Sequence, residues 1–498
     1  MSAHNVWFGN DAWPSGRSPG DFARDVFRIE NCSTEKEKAF AFYKWLLRCM
    51  NRGPNLYLPS MSGTYERCFD PLTIFTWGSH ECTGWGWVAA EALNAAGVKA
   101  RRVAAHKNGH TFYEVWYRGE NGSEGWHAFD PFIGWYFLNS DGEVASCKEL
   151  AADHKLVLDP FEGHALPCGH FWERSICHRH RMEDAMEIVQ DVKNEQLSYN
   201  LLPGQAYTCL WRPSDSKDAL ITYSSAPPGE RGKVRPEGSR CSITPYDHEG
   251  KPRYPEHEPY WKNYRWPAPH ETRQPVRWHG SGSLRWEPLL HGEKAAESAP
   301  NARFTNGTAG PAGPNKYMEV WYRICLPYLA THITIDTDIT GTGEVGYSIS
   351  ADGGKTLWSL FRGSSGWFTR KNGKADYLRG RPSVQGLREF MLRIDMMTTV
   401  PQDNFCVDAL RIMVGFHHNM HVQPRLLPGK NSLYLEAGEL DAEEEVYAQW
   451  NYTAPDGEKE ETVRLAEPGR TESEIDLPYE SPEDIVMRGV TVALKTSR

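Results

Sequence analysis

Cys82, His110 and Asp130 are of the types that amide chemistry on a thiol requires. A cysteine nucleophile needs a base to take its proton, and the base needs a partner that orients it. Histidine suits the first task because it titrates near neutrality, and a carboxylate suits the second. Cys82 stands in "SHECTGWGWVAAEALNAAG" (79–97), where polar and small residues give way to a helical run. Ala89, Ala90, Ala92, Leu93, Ala95 and Ala96 are strong helix formers, and Gly97 is a natural stop. Cys82 therefore falls at or just before a first helical turn, where free N–H groups carry partial positive charge and favour a thiolate. The competing reading is a small buried hydrophobe.

His110 opens the strand-like run "HTFYEVWYR", and Asp130 closes "EGWHAFD". A hairpin about "GENGS" brings Asp130 opposite the region of Tyr113, a few residues from His110. Strand alternation decides whether the two side chains share a face, and the register is open to one residue. Asp130 also precedes Pro131, so plain turn chemistry is its alternative role. An oxyanion needs donors: the Cys82 backbone N–H is the default, and Trp77 offers either an indole N–H or a core ring. His80 and Glu81 adjoin the nucleophile and are candidates to shape its pocket. Trp77, Trp85 and Tyr113 are the expected substrate contacts near the nucleophile.

The elements that must hold these residues are legible in the pattern. Thr34 and Glu37 form a capping box before a helix near 33–51, with Ala39, Phe42, Tyr43, Leu46, Leu47 and Met50 at helical spacing. After Gly97 the period changes, and runs at 98–106, 110–118 and 124–131 are separated by turn sequences, as in a short antiparallel meander. A helical pattern follows near 182–197. Beyond 201–205 the chain is β-rich. The segment 224–277 is rich in Pro, Gly, Arg and aromatics; it reads as a long ordered excursion whose Trp261 and Trp266 are expected to line a substrate cleft or to pack as core. Strand runs over 301–428 read as a β-sandwich. Within it "SISADGGKTLW" (348–358) resembles an Asp-box hairpin, a structural device in which Asp352 bonds turn amides. "HHNMH" (417–421) reads as a strand end. The last stretch reads as a small Ig-like sandwich. The expected units are 1–200 (catalytic), 201–300 (irregular, β-rich), 301–428 (sandwich) and 429–498 (Ig-like).

Composition narrows the function. A net charge of −10 over 498 residues argues against a general nucleic-acid binder. No apolar run approaches membrane-span length. The first residues lack the charged and apolar regions of a signal peptide, so the compartment is open: cytoplasmic, or secreted or periplasmic if such a segment has been removed. Eleven cysteines is an odd number, so at least one thiol is free or metal-bound. Nineteen tryptophans and 22 tyrosines suit a peptide or carbohydrate groove, or a β core. Cys168, His170, Cys177, His178 and His180 gather in 164–181 but lack a Cys-x-x-Cys pair, so a substrate-lining loop or surface cluster is preferred over zinc; neither metal nor cofactor is expected.

The order of Cys82 at a helix start, "VKARRV" (98–103), "GHTFYEVWY" (109–117) and "GWHAFDP" (125–131) resembles the transglutaminase-like superfamily over about residues 30–140. That resemblance implies a papain-like Cys-His-Asp triad on an α+β core, with Cys82 as nucleophile, His110 as general base and acid, and Asp130 as orienter. The "C-x-x-W" of Cys82–Trp85 is similar to that of the peptide:N-glycanases. The expected fold class is thus an α+β transglutaminase-like core followed by all-β sandwich domains. The expected function is a cysteine hydrolase acting on a peptide, isopeptide or glycosylated-Asn amide, with a peptide, glycopeptide or polysaccharide as partner. Two rivals stand beside it: a polysaccharide lyase or glycosidase using His110 and Tyr113, and a non-catalytic glycan-binding protein.

Overall fold

The computed structural model describes residues 3–52, 56–59, 65–105, 110–132, 136–153, 156, 185–188, 192–193, 195–197, 199–213, 279–313, 317–364, 384–398, 405–436, 444–466 and 472–496. Trp261, Trp266 and the 164–181 Cys/His cluster lie outside them.

The helices of the first third begin where local chemistry starts them. Helix α1 (Pro19–Ile29) is capped by Ser18, whose side chain accepts from the Asp21 N–H. Helix α2 (Glu35–Cys49) carries the Thr34/Glu37 capping box. Helix α3 (Pro71–Trp77) follows an Asp70 cap, with Pro71 in the first turn and Gly78 at φ 81° closing it. Helix α4 spans Cys82–Ala95, and Gly97 takes φ 81° just beyond it. Helix α5 (Cys147–Ala152) has a Ser146/Glu149 capping box.

These helices cover a four-stranded antiparallel sheet in the order Glu124–Phe129, His110–Arg118, Ala100–Ala105, Ala185–Ile188. Phe22, Phe42, Leu46, Val88 and Leu93 from the helices pack with Tyr113, Val115 and Phe129 from the strands in one buried cluster. Each such side chain contributes about 1.5–3 kcal/mol when fully buried.

The expected fold class needs correction. The chain is mostly β, 48% strand against 22% helix among the described residues, in antiparallel sheets rather than an α+β papain-like core with sandwiches attached. A nine-stranded sheet runs from Ala302–Thr305 to Gly457–Ala466, and a four-stranded sheet orders Tyr317–Cys325, Glu389–Thr398, Gly343–Ser350 and Trp358–Ser364. A further four-stranded sheet joins Tyr199–Leu201, Ala3–Asn10, Gly429–Glu436 and Glu472–Leu477. Sheets thus cross the expected unit boundaries: Trp7 pairs with Glu436 and Thr208 with Thr491. The physical reason is that these pairings are long-range, and local periodicity carries no trace of them. The helical pattern near 182–197 is also corrected, since Ala185–Ile188 is an edge strand paired with Ala100–Ala105. A short apolar run fits both periods, and the open sheet edge decides it.

The hairpin at 350–358 is built as its sequence reads. Ser350 Oγ accepts from the Gly354 N–H at 2.8 Å, and Asp352 Oδ1 accepts from the Thr356 N–H at 2.8 Å. Ser350 Oγ donates to Asp352 Oδ1 at 2.7 Å, and that bond first, then the one from the Thr356 N–H, holds the Asp352 carboxyl down to about 2.

The helical layer is fastened to the nine-stranded sheet at one seam. Asn419 Nδ2 donates to the carbonyls of Cys49 (2.8 Å) and Phe75 (3.0 Å), at the ends of α2 and α3. Arg388 donates to Thr76 Oγ1 at 2.9 Å, and Trp13 Nε1 to the His421 carbonyl at 3.0 Å.

Candidate active site

Cys82 is the first residue of α4; the N-cap Glu81 makes no side-chain capping bond, and its carbonyl accepts from the Gly84 N–H at 2.9 Å. The approach to that turn is fixed from both sides. Ser79–His80 pairs in parallel with Asn51–Arg52, and Trp85 Nε1 donates to the His80 carbonyl at 3.0 Å. Two glycines let the helix dock. A β-carbon at Gly84 would stand 2.3 Å from His80 Cγ, so the imidazole lies directly against the first turn. A β-carbon at Gly86 would stand 2.9 Å from Thr111 Cγ2, so α4 sits tightly on the strand that begins with His110. Cys82 itself is 9% exposed.

The strand register brings the other two residues together. Tyr113 pairs with Phe129, so the next pair outward sets Asp130 against Phe112 and diagonal to His110. Opposed and diagonal residues share a face, and His110 Nε2 lies 2.5 Å from Asp130 Oδ2. With Nε2 so engaged, Nδ1 is the nitrogen left for Cys82, whose side chain hydrogen-bonds the imidazole. Phe112 and Phe132 flank the ring at 6.0 and 6.2 Å. Burial works to neutralise His110. The charge and hydrogen bond of Asp130, then the hydrogen bond and charge of Cys82, outweigh it and push the imidazole up to about 10. The arrangement holds an imidazolium between a carboxylate and a sulfur.

Trp77, Trp85 and Tyr113, the contacts expected near the nucleophile, are placed in the interior. Trp85 is 2% exposed, and Trp77 is packed against His417 at 5.5 Å. Tyr113 is fully buried, stacked on Phe129 at 5.8 Å and edge-on to Phe42 at 6.3 Å, and burial raises its hydroxyl well above the ordinary range. Neighbours that sequence reasoning passed over include Gly84 and Gly86, whose spacing "G-W-G" within a helix was the available signal. Glu114 is another: fully buried, it pairs with Arg101 at 2.6 Å and accepts from the Cys147 N–H at 2.6 Å, tying the His110 strand to α5.

No protein-family model and no curated protein matches this chain. Among the described residues no group of three or more His, Cys, Asp or Glu side chains is placed to hold a metal ion, and no helix is long and apolar enough to cross a membrane.

Proposed function

We propose that the chain is a cysteine-dependent hydrolase that cuts an amide bond through a thioester on Cys82. The observation that carries this reading is His110 bonded to Asp130 on one side and to Cys82 on the other. The Cys82 sulfur attacks the carbonyl carbon, and the oxyanion forms within reach of the Cys82 backbone N–H at the start of α4. The His110 imidazolium gives its proton to the leaving nitrogen as the C–N bond breaks. Water then attacks the thioester, His110 takes its proton, and the C–S bond breaks to release the acid and the sulfur. Asp130 keeps the ring oriented and its charge compensated throughout. The motif resemblance to the transglutaminase-like superfamily supports acyl transfer from an amide, with a peptide, isopeptide or glycosylated-Asn bond as the substrate class. The lyase reading lacks comparable support, because Tyr113, whose hydroxyl it needs, is fully buried with its ring packed against Phe42 and Phe129.

A screen on peptides, isopeptides, glycopeptides and acidic polysaccharides tests this, with Cys82→Ala alongside. Cys82→Ala and His110→Ala each remove nearly all turnover, and Asp130→Asn costs less than either, as in triads that act as a unit. Turnover that survives in Cys82→Ala but not in His110→Ala would reject the thioester route.

A further inference from the structure

Basic groups gather at the seam around Trp13. Arg48 lies in the last turn of α2, and Arg425 follows the short helical turn Met420–Val422. Both stack on the Trp13 ring, with guanidinium carbons 5.8 and 4.7 Å from its centroid. Arg48 also lies 4.3 Å over Trp45, whose ring meets Trp13 edge-on at 5.1 Å. His421 adjoins them: its carbonyl accepts from Trp13 Nε1 at 3.0 Å and from the thiol of Cys49, the residue after Arg48, at 3.6 Å. Three stretches far apart in sequence thus bring two guanidiniums and a histidine to one tryptophan.

The positive charge gathered there lacks a described counterpart, in a chain whose net charge is −10. Arg24, Arg28, Arg101 and Arg118 each meet a carboxylate within 3.2 Å. Among the described residues no ion pair joins Arg48 or Arg425 to one. Glu30, at the end of α1, is engaged by Trp45 Nε1 at 2.7 Å. Arg425 Nε is buried without a hydrogen-bond partner, and so is Nε2 of His421, which is 3% exposed. Burial lowers Arg425; Cys49 opposes that shift and Arg48 adds to it. Burial, then the charges of Arg425, His418 and Arg48, holds His421 down to about 3, so the charged side chains acting on it are all basic. Unmet buried donors and clustered like charges are both costly, and an anion relieves the two together.

We propose that Arg48 and Arg425, with His421 beside them, form a binding site for a tetrahedral dianion, a phosphoryl or sulfuryl group that is free or carried on a larger ligand. Two guanidiniums match two negative charges, and the flat fork of Arg425 offers Nε and an Nη to two oxygens. Stacking on Trp13 holds the guanidinium planes and leaves their edges for those oxygens. Arg48, Arg425 and Trp13 are each half-buried, so solvent reaches the site. The dianion ties the end of α2 to the stretch after the Cys406–Asn419 strand, close to the Asn419 bonds, and so fastens the helical layer to the large sheet. Cys82 takes no part in it.

The full chain is titrated with sodium phosphate at neutral pH and constant ionic strength, by calorimetry and by melting temperature. Phosphate binds at one site and raises the melting temperature saturably, as a ligand of the folded state does. Sulfate acts likewise, and chloride and acetate do not. Arg425→Met weakens phosphate at least about tenfold, the size of one charged hydrogen bond. Arg48→Met does the same from a different element, so a variant that fails to fold leaves the other to decide. Arg425→Lys keeps part of the affinity. Arg24→Met, which breaks an exposed pair with Asp21, leaves it unchanged. Glucose 6-phosphate separates the sources, both of which uphold the site: affinity equal to that of phosphate assigns a group on a larger ligand, and no binding assigns the free ion. Absence of saturable phosphate binding, or an affinity unchanged in Arg48→Met and Arg425→Met, would overturn the site. An equal loss in Arg24→Met would overturn it too, by reducing the effect to general surface charge. An equal effect of acetate would overturn the dianion assignment.

Discussion

Gly86 lies one turn along α4 from Cys82, and a β-carbon there would come within 2.9 Å of Thr111 Cγ2, on the residue next to His110. The contact between sulfur and imidazole is thus set by how closely the helix can approach the strand. Thr111 is β-branched and buried, so it yields little. Gly86→Ala gains about 1 kcal/mol of helix propensity, which offsets most of the crowding in overall stability. It cannot restore the geometry, and displacements of about 1 Å cost on the order of 10²-fold in rate. The expected result is a melting temperature close to wild type with turnover reduced about 10–100-fold. Full activity in Gly86→Ala would show that the close approach is immaterial.

The buried histidines make opposite demands on pH. Burial, the main cause in each, holds His80 and His418 down to about 4 and His421 to about 3. In the unfolded chain each ionises near its ordinary value of about 6.5. Between those values the unfolded state binds protons that the folded state refuses, so stability falls as pH drops from about 6.5 to about 4. Each group contributes a slope of up to about 1.4 kcal/mol per pH unit there. His110 works the other way. Its folded value is raised to about 10, so its contribution is complete below about 6.5 and is lost as pH climbs through 10. Thermal unfolding across pH is expected to decline on both sides of neutrality, with a shallower acid limb in His418→Gln and a shallower alkaline limb in His110→Gln. Unchanged limbs in these variants would assign the dependence to other groups.

Asn419 is the most connected residue of the seam. It is fully buried, donates to the Cys49 and Phe75 carbonyls, and accepts from the His421 N–H at 3.0 Å. Asn419→Leu keeps the branching of the side chain at its γ-carbon and strands three backbone groups. Each unmet buried group costs about 1–3 kcal/mol, so a loss of at least about 3 kcal/mol is expected. Denaturant unfolding measures it, and a loss below about 1 kcal/mol would mean that water enters the seam and replaces the side chain.

The same residues show what was legible in the chain. The Thr34/Glu37 box and the run after Cys82 are local, and α2 and α4 begin where those signals put them. The His110 and Asp130 strands were readable as residue types, but the diagonal that joins them depends on a register that a one-residue slip would destroy. Ser18-Pro19 and Asp70-Pro71 are equally local start signals for α1 and α3 and were there to be read. What escaped was long-range. Asn419 meets Cys49 and Phe75 across 370 and 344 residues, and Phe8 pairs with Leu435. No local period encodes those contacts, and they decide that the chain is a largely β assembly. Trp85 escaped for another reason: its indole N–H donates back to the His80 carbonyl and its ring is buried, contacts that spacing from Cys82 does not encode.

The central claim is that Cys82 is a nucleophile activated by His110. Brief iodoacetamide treatment at neutral pH, followed by mass mapping of all eleven cysteines, tests it most directly. Burial pushes the thiols of Cys49 and Cys147 up to about 12, and those of Cys68, Cys325 and Cys406 up to about 11, so these react slowly. Cys82 is predicted to be alkylated first despite its 9% exposure, and at least about tenfold more slowly in His110→Ala. Labelling of another cysteine ahead of Cys82, or a Cys82 rate unchanged in His110→Ala, would contradict the claim.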